Sequence, residues 1–264
     1  MQRLRRTMRS RWRLAISVLP AVALVAVAKT IVTEIGAESI ELNPLYTGLV
    51  AGNIFLLGFL LAGTLSDYKE SEKLPVELAA SLDSISDEMR IVEAAGGEGT
   101  GPARAGLAHV AATVRTVLDW LYGKQSFDDA LARIEGLNAH YRAIEPHTQA
   151  TYVNRIKVEQ SAARRMLLRI HNIHETSFIA AGFMVAALTS GLLISVLLFI
   201  DVGALATDLI LLCTLTFLLG YVLLLIRDLD DPFEYSAEGE DVGSVEASLD
   251  PLVRLIGRLP QAVD

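Results

Sequence analysis

Apolar residues are gathered into four long runs along this chain, arranged as two pairs on either side of a polar stretch. The runs cover residues 14–33, 45–66, 177–200 and 202–226, and residues 67–176 form the polar stretch. An α-helix needs about 20 apolar residues to cross the hydrocarbon core of a bilayer. The pattern therefore predicts an integral membrane protein with four transmembrane helices, which form two hairpins joined by a polar domain.

The polar stretch shows apolar positions at helical spacing, with no strand pattern. Ser126 and Asp129 have the spacing of a capping box at the start of one helix. Helices are predicted from Pro75 to about 95, over about 103–122 and 128–144, and from about 149 onward. A glycine-rich linker is predicted at 96–102. The last helix has no visible break before the third apolar run, so we expect it to continue into that run. The predicted fold class is all-α.

The distribution of charge orients these segments in the membrane. Residues 1–13 carry six arginines and no acid, whereas the loop between the first two runs carries Glu34, Glu38 and Glu41 and no base. Lys and Arg collect on the cytoplasmic side of membrane proteins. The N-terminus, the polar domain and the C-terminus are therefore expected in the cytoplasm of a multi-pass inner-membrane protein. The predicted divisions are a basic N-terminus (1–13), two transmembrane hairpins (14–66 and 177–226), a cytoplasmic helical domain (67–176) and an acidic C-terminal segment (227–264).

The first apolar run also has features of a secretory signal peptide. It follows an arginine-rich start and contains Ala26-Val27-Ala28, which imitates a cleavage site. The apolar stretch continues to Val32, so retention as a membrane anchor is favoured over cleavage. Lys29 lies near the outer end of this run, and its ammonium group is expected to reach the membrane surface.

No arrangement of residues indicates an enzyme. His171, His174 and Glu175 are close together on one predicted helix, but a zinc protease requires His-Glu-x-x-His or its inverse. Polar residues at the membrane surface are the simpler interpretation. The single cysteine, Cys213, has no partner for an intrachain disulfide. Because the N-terminal arginines adjoin a membrane helix, they favour contact with anionic lipid over binding of nucleic acid.

Two short motifs accompany this order of segments. Phe55-Leu56-Leu57-Gly58-Phe59 lies in the second run and is followed by Glu72-Lys73-Leu74-Pro75. The post-span motif, Asp231, Pro232, Phe233 and Glu234, comes just after the fourth run. With the two-plus-two arrangement, these motifs make the chain resemble the bestrophins and their bacterial relatives. The resemblance implies a homo-oligomeric, pentameric channel for small anions such as chloride, with a narrow hydrophobic neck on the second span.

The resemblance places the pore neck at Ala51, Phe55 and Phe59, where the family has an aliphatic residue and two phenylalanines. Residues four apart lie along one helix face, and aromatic edges carry partial positive charge that favours an anion. The alternative is that both phenylalanines face lipid or other helices. Ala51 is smaller than the family's residue and would widen the first ring. Asn53, polar and in mid-span, is explained either by a hydrogen bond to another helix or by a position facing the pore.

Acidic residues after the fourth run raise the question of a calcium site, because hard cations prefer oxygen ligands. The calcium clasp of animal bestrophins uses carboxylates three and six residues after the Pro-Phe pair. Ser236 and Gly239 stand at those positions here, so no metal or cofactor is expected and the acids are interpreted as a solvated segment. The competing hypothesis for the whole chain is a non-conducting membrane scaffold or sensor whose cytoplasmic helices bind a partner.

Overall fold

The computed structural model describes residues 2–175, 180–235 and 246–260, with side chains from residue 12 in the first range and from residue 181 in the second. The described helices are α1 (Gln2–Glu34), α2 (Pro44–Ser71), α3 (Leu74–Ala95), α4 (Thr100–Leu121), α5 (Phe127–Ile144), α6 (Ala150–Glu175), α7 (Ala180–Leu197), α8 (Leu205–Asp230) and α9 (Asp250–Arg258). Two strands of two residues, β1 (Ile40–Glu41) and β2 (Ile200–Asp201), pair in parallel. The predicted all-α class is confirmed, and this short bridge is the departure from it.

The chain folds into two compact units. The hairpin unit consists of α1, α2 as far as Tyr68, the β1–β2 bridge, α7 and α8. The polar unit consists of α3 to α6, residues 231–235 and α9. Among the described residues, three helical segments are long and apolar enough to cross a membrane, and a shorter apolar helix accompanies them. The three lie at Trp12–Glu34, within Pro44–Ala95 and at Leu205–Asp230, and the shorter one covers Ala181–Leu197.

Close packing holds α8 against α1 and α7 in the hairpin unit. A Cβ atom on Gly220 of α8 would lie 3.0 Å from Val18 Cγ1 of α1, so the glycine lets these two helices approach closely. A second cluster of buried side chains joins α2, α7 and α8, and it contains Leu57, Leu60, Ala186, Leu219 and Ile226. The contacts of this cluster fix how α2 is turned within this unit.

Four helices of the polar unit surround one apolar core, and α9 covers α3 and α4 with Leu252 and Leu255. The predicted capping box is confirmed at the start of α5. The Ser126 hydroxyl accepts a hydrogen bond from the Asp129 N–H at 3.1 Å, and the Asp129 carboxylate accepts one from the Ser126 N–H at 3.1 Å. The Ser126 hydroxyl also donates to the Asp129 carboxylate at 2.7 Å, and this bond, with the one from the Ser126 N–H, lowers the pKa of the Asp129 carboxyl.

Of the two connections that the sequence predicts, one differs from the structure and the other lies partly outside the described residues. The predicted glycine-rich linker is wrong in extent, because Gly97–Gly99 form a turn of 3₁₀-helix and α4 already begins at Thr100. Gly96 and Gly97 adopt positive φ angles of 76° and 74°, which favour glycine and explain the composition. The expected continuous helix from α6 into the third apolar run lies partly outside the described residues, since 176–179 belong to none of the described ranges.

Candidate pore-lining site

The helix α2 presents two distinct faces. One face is buried inside the hairpin unit, and its members are Tyr46, Asn53, Leu57, Leu60 and Thr64. The opposite face is exposed and carries Ala51, Phe55 and Phe59, with 78% of Phe55 and 68% of Phe59 accessible. Residues 51, 55 and 59 therefore form one stripe along the helix. Within their own chain, the two aromatic rings are largely without contacts.

Asn53 lies on the buried face and joins α2 to α7. Its side-chain N–H donates to the Ser190 hydroxyl at 2.8 Å, and its oxygen accepts a hydrogen bond from the Thr189 hydroxyl at 2.7 Å. Polar groups inside a membrane are costly unless they are paired, and here donor and acceptor are both paired. In this geometry Asn53 points away from the stripe of Ala51, Phe55 and Phe59.

The exposed stripe has the geometry that stacked rings require. With a rise of 1.5 Å per residue, side chains four apart are separated by about 6 Å along a helix. Copies of α2 around a common axis would place Phe55 and Phe59 in successive rings, with Ala51 contributing a small side chain to the next one. Without such a ring of subunits, the same exposed stripe would suit contact with lipid. The oligomeric state therefore decides between a pore-lining and a lipid-facing stripe.

At the tip of the hairpin unit, the ammonium group of Lys29 is completely buried among oxygen atoms. It lies 2.6 Å from Glu38 Oε1 and 3.1 Å from Asp208 Oδ2. It also donates to the Ile200 carbonyl at 2.7 Å and approaches the Leu198 carbonyl at 3.4 Å. The expectation that Lys29 reaches the membrane surface is therefore wrong, because two carboxylates and two carbonyls hold its charge inside the protein.

This Lys29 cluster connects the two hairpins. Lys29 belongs to α1, Glu38 follows it in the first hairpin, and Asp208 lies in the first turn of α8 of the second. Beside them, the β1–β2 bridge pairs Ile40 with Ile200. The Lys29 ammonium and the Thr33 hydroxyl, which donates at 2.6 Å, lower the pKa of the Glu38 carboxyl.

The charge at this tip is acidic overall. The carboxylates of Glu38, Asp201 and Asp208 lie within 4.8 Å of one another, an arrangement that is capable of holding a cation. The Lys29 ammonium already supplies positive charge to two of them, so we assign no metal here. Glu34 and Asp201 remain exposed to solvent and carry the surplus negative charge.

The sequence contained a signal for the Lys29 cluster. The charge analysis missed it, because charges were considered only for how they orient the chain in the membrane. A lysine inside an apolar run is expensive unless it is paired. The acids that pair with it are Glu38, in the loop after the first run, and Asp208, just inside the fourth run. Charge alone did not identify the pairs, because Glu34, Glu41 and Asp201 lie equally close to the tip in sequence.

The post-span motif docks on the polar unit. Phe233 is only 1% exposed and lies in the apolar core, and Pro232 is buried beside it while Glu234 is exposed. The Pro232 carbonyl accepts a hydrogen bond from the Ala247 N–H at 2.9 Å. Asp231 accepts one from the Phe233 N–H at 3.2 Å. The positions compared with the calcium clasp, Ser236 and Gly239, lie outside the described residues.

The two histidines near the end of α6 occupy different environments. The His171 ring stacks on Phe127, with centroids 3.8 Å apart and planes at 7°. His174 Nδ1 lies 3.3 Å from Asp231 Oδ1. His171 and His174 therefore make separate contacts, one with an aromatic ring and one with a carboxylate.

No family profile and no curated protein matches this sequence. Solved structures do match the fold. A bacterial bestrophin homologue from Klebsiella pneumoniae, in two variant structures, gives TM-scores of 0.72 and 0.74 at 13% and 14% identity. The matches cover 91% and 92% of this chain and 94% and 95% of theirs. A crystal structure described as a membrane protein gives 0.74 at 14% identity, covering 93% of this chain and 99% of its own. The resemblance to the bestrophins is thus confirmed at the level of the fold, and this chain has the fold of the bacterial bestrophin homologue.

Proposed function

We propose that this protein is a bestrophin-like, homo-oligomeric ion channel that passes small anions such as chloride. The observation that carries the proposal is the exposed stripe of Ala51, Phe55 and Phe59 on α2. It lies opposite a face that the chain's own helices bury, in a chain with a bestrophin fold. Five copies arranged around an axis would turn this stripe into a hydrophobic neck.

The neck would act through size and aromatic edges. A hydrophobic constriction admits ions only when it is wide enough to stay wetted. The edges of Phe55 and Phe59 carry partial positive charge, which stabilises an anion that has lost part of its water. Ala51 adds little to the constriction, so the two phenylalanine rings would set the narrowest diameter.

The proposed orientation follows the distribution of charge. Four spans, α1, α2, α7 and α8, cross the inner membrane, with the polar unit and both termini in the cytoplasm. The Lys29 cluster then lies at the outer end, where the exposed acids Glu34 and Asp201 attract cations. This attraction for cations opposes the anion preference proposed for the neck. The permeabilities of chloride and sodium must therefore be measured separately. No metal, cofactor or enzymatic activity is part of the proposal.

The test replaces the rings and compares them with a matched pair on another helix. The Phe55→Ala/Phe59→Ala variant should raise unitary conductance or weaken the preference for chloride over sodium, because it widens the neck. Leu188→Ala/Leu192→Ala is the control, since these side chains of α7 are also four apart and are 70% and 65% exposed. Both variants are recorded in planar bilayers beside the wild type. Equal currents from all three proteins would contradict the assignment of the neck to α2.

The alternative function, a non-conducting scaffold or sensor, makes a different prediction about the particle. The channel requires a ring of subunits with an open or openable axis. A purified particle without five-fold symmetry, or with its axis filled by lipid, would favour the scaffold. Electron microscopy of the protein in lipid nanodiscs distinguishes the two.

A further inference from the structure

A histidine and an aspartate join the end of α6 to the segment that follows α8. His174 lies in the last turn of α6, and its Nδ1 is 3.3 Å from Asp231 Oδ1. The same oxygen accepts the Phe233 N–H at 3.2 Å. The side chains of His174 and Asp231 are 39% and 35% exposed, so the imidazole can exchange protons with solvent.

The other contacts described here for this segment are made by a phenyl ring, backbone groups and a phenol hydroxyl. Phe233 fills a position in the apolar core, and the Pro232 carbonyl is bonded to the Ala247 N–H. The Tyr235 hydroxyl donates to the Ala247 carbonyl, and a phenol ordinarily titrates near pH 10. Among these docking contacts, the His174–Asp231 pair is therefore the one that responds to protons in the physiological range.

The charged groups that act on His174 are all acidic. They are Asp231 and Glu234 from the docked segment and Glu175 from α6 itself. The hydrogen bond to Asp231 is the main cause that raises the pKa of His174 above its usual 6.5, and burial opposes it. A raised pKa means that the pair stabilises docking fully below about pH 6.5 and loses that contribution as pH rises through the folded-state pKa.

We propose that His174 and Asp231 form a proton-sensitive latch, which holds residues 231–235 on the polar unit at acidic pH and loosens them at alkaline pH. The latch joins the point where the chain leaves the polar unit after α6 to the point where it returns after α8. Its consequence for cytoplasmic pH rests on the proposed orientation, whereas the latch itself does not depend on ion conduction.

Hydrogen–deuterium exchange of the full chain in lipid nanodiscs tests the latch. Exchange is measured at pH 6 and pH 8 in peptides that contain Phe233 and Ala247, and each rate is divided by the intrinsic rate at that pH. Protection should fall by about two- to fivefold from pH 6 to pH 8, the range expected for a partly exposed ion pair. Wild-type protection that is equal at the two pH values would overturn the proposal.

Two substitutions separate charge from structure. Asp231→Asn keeps an oxygen for the Phe233 N–H but removes the charge, so protection should be low and independent of pH. His174→Lys keeps a positive charge at pH 8 and should abolish the loss there. His147→Gln alters an exposed histidine of the polar unit and should leave the pH dependence unchanged. A pH dependence that persists in Asp231→Asn, or an NMR titration with the His174 pKa at or below 6.5, would contradict the latch.

Discussion

Replacement of Lys29 by methionine tests the Lys29 cluster most severely. Methionine has nearly the same length as lysine but no charge, so the change leaves the space filled while it removes the ammonium group. Glu38 and Asp208 then lose the cation that lies 2.6 and 3.1 Å away, and two carbonyl groups lose a donor. Each carboxylate keeps one hydrogen-bond donor, the Thr33 hydroxyl or the Val202 N–H, but a carboxylate left inside a protein without its cation is strongly destabilising.

The expected loss is about 3 kcal/mol in the free energy of unfolding. Removal of one member of a buried ion pair costs about 3–5 kcal/mol. We expect the lower value, because the Glu38 side chain keeps 15% of its surface accessible and can regain some water. Asp208 keeps only 3% accessible and carries most of the penalty.

The assay uses Cys213, the only cysteine, which lies half-buried in α8. Its rate of modification is followed in mixed lipid–detergent micelles as the denaturing detergent is increased. The triple variant Lys29→Met/Glu38→Gln/Asp208→Asn is the matched control, since it removes all three charges and should recover most of the stability. A single variant within about 0.5 kcal/mol of wild type, or a triple variant no better than the single one, would refute the reasoning.

Acidification should affect the wild type and Lys29→Met in opposite directions. The lowered pKa of Glu38 means that its contribution is present above pH 4.5 and is lost as the pH falls through the folded-state pKa. In Lys29→Met, protonation of Glu38 neutralises a carboxylate that has lost its cation, so the same acidification should restore stability. Parallel behaviour of the two proteins as the pH is taken from 7 to well below 4.5 would contradict the pairing.

Two further predictions concern a membrane contact and a helix start. Asn53→Ala removes the hydrogen bonds to Ser190 and Thr189 and should cost about 1 kcal/mol of stability in the Cys213 assay. Unitary conductance should stay unchanged because Asn53 faces away from the stripe, and an altered conductance would place Asn53 in the pore. Ser126→Ala removes the cap of α5 and should cost about 1 kcal/mol in thermal unfolding, whereas Ser126→Asp should retain the cap; equal losses in both would contradict the capping role.

Helical spacing and capping residues in the polar stretch predicted its helices well. The apolar core positions recur with the helical period, and Ser126 and Asp129 mark the start of α5 with local contacts only. The short bridge of Ile40 with Ile200 was beyond such reasoning, because two residues are too few to show an alternating pattern. The turn at Gly97–Gly99 was missed because glycines indicate permissive backbone without specifying which turn forms.

The orientation of α2 was harder to predict than its existence. In a membrane helix, the face toward other helices and the face toward lipid are both apolar, so hydropathy does not separate them. Phe55 and Leu57 are both large apolar residues of one run, yet Leu57 is 2% exposed and Phe55 is 78% exposed. The resemblance to the bestrophins, and not the periodicity, singled out the stripe of residue 55. The partners of Lys29 were not predictable for a related reason, since Asp208 is distant in the chain and several acids compete for the role.

The reversal potential of single channels tests the central claim most directly. Purified wild-type protein is placed in a planar bilayer under a sodium chloride gradient, beside the Phe55→Ala/Phe59→Ala variant. The account predicts unitary currents that reverse near the chloride equilibrium potential and shift or grow in the variant. Reversal near the sodium potential would contradict anion selectivity, and silence from protein shown to be folded and oligomeric would contradict the channel.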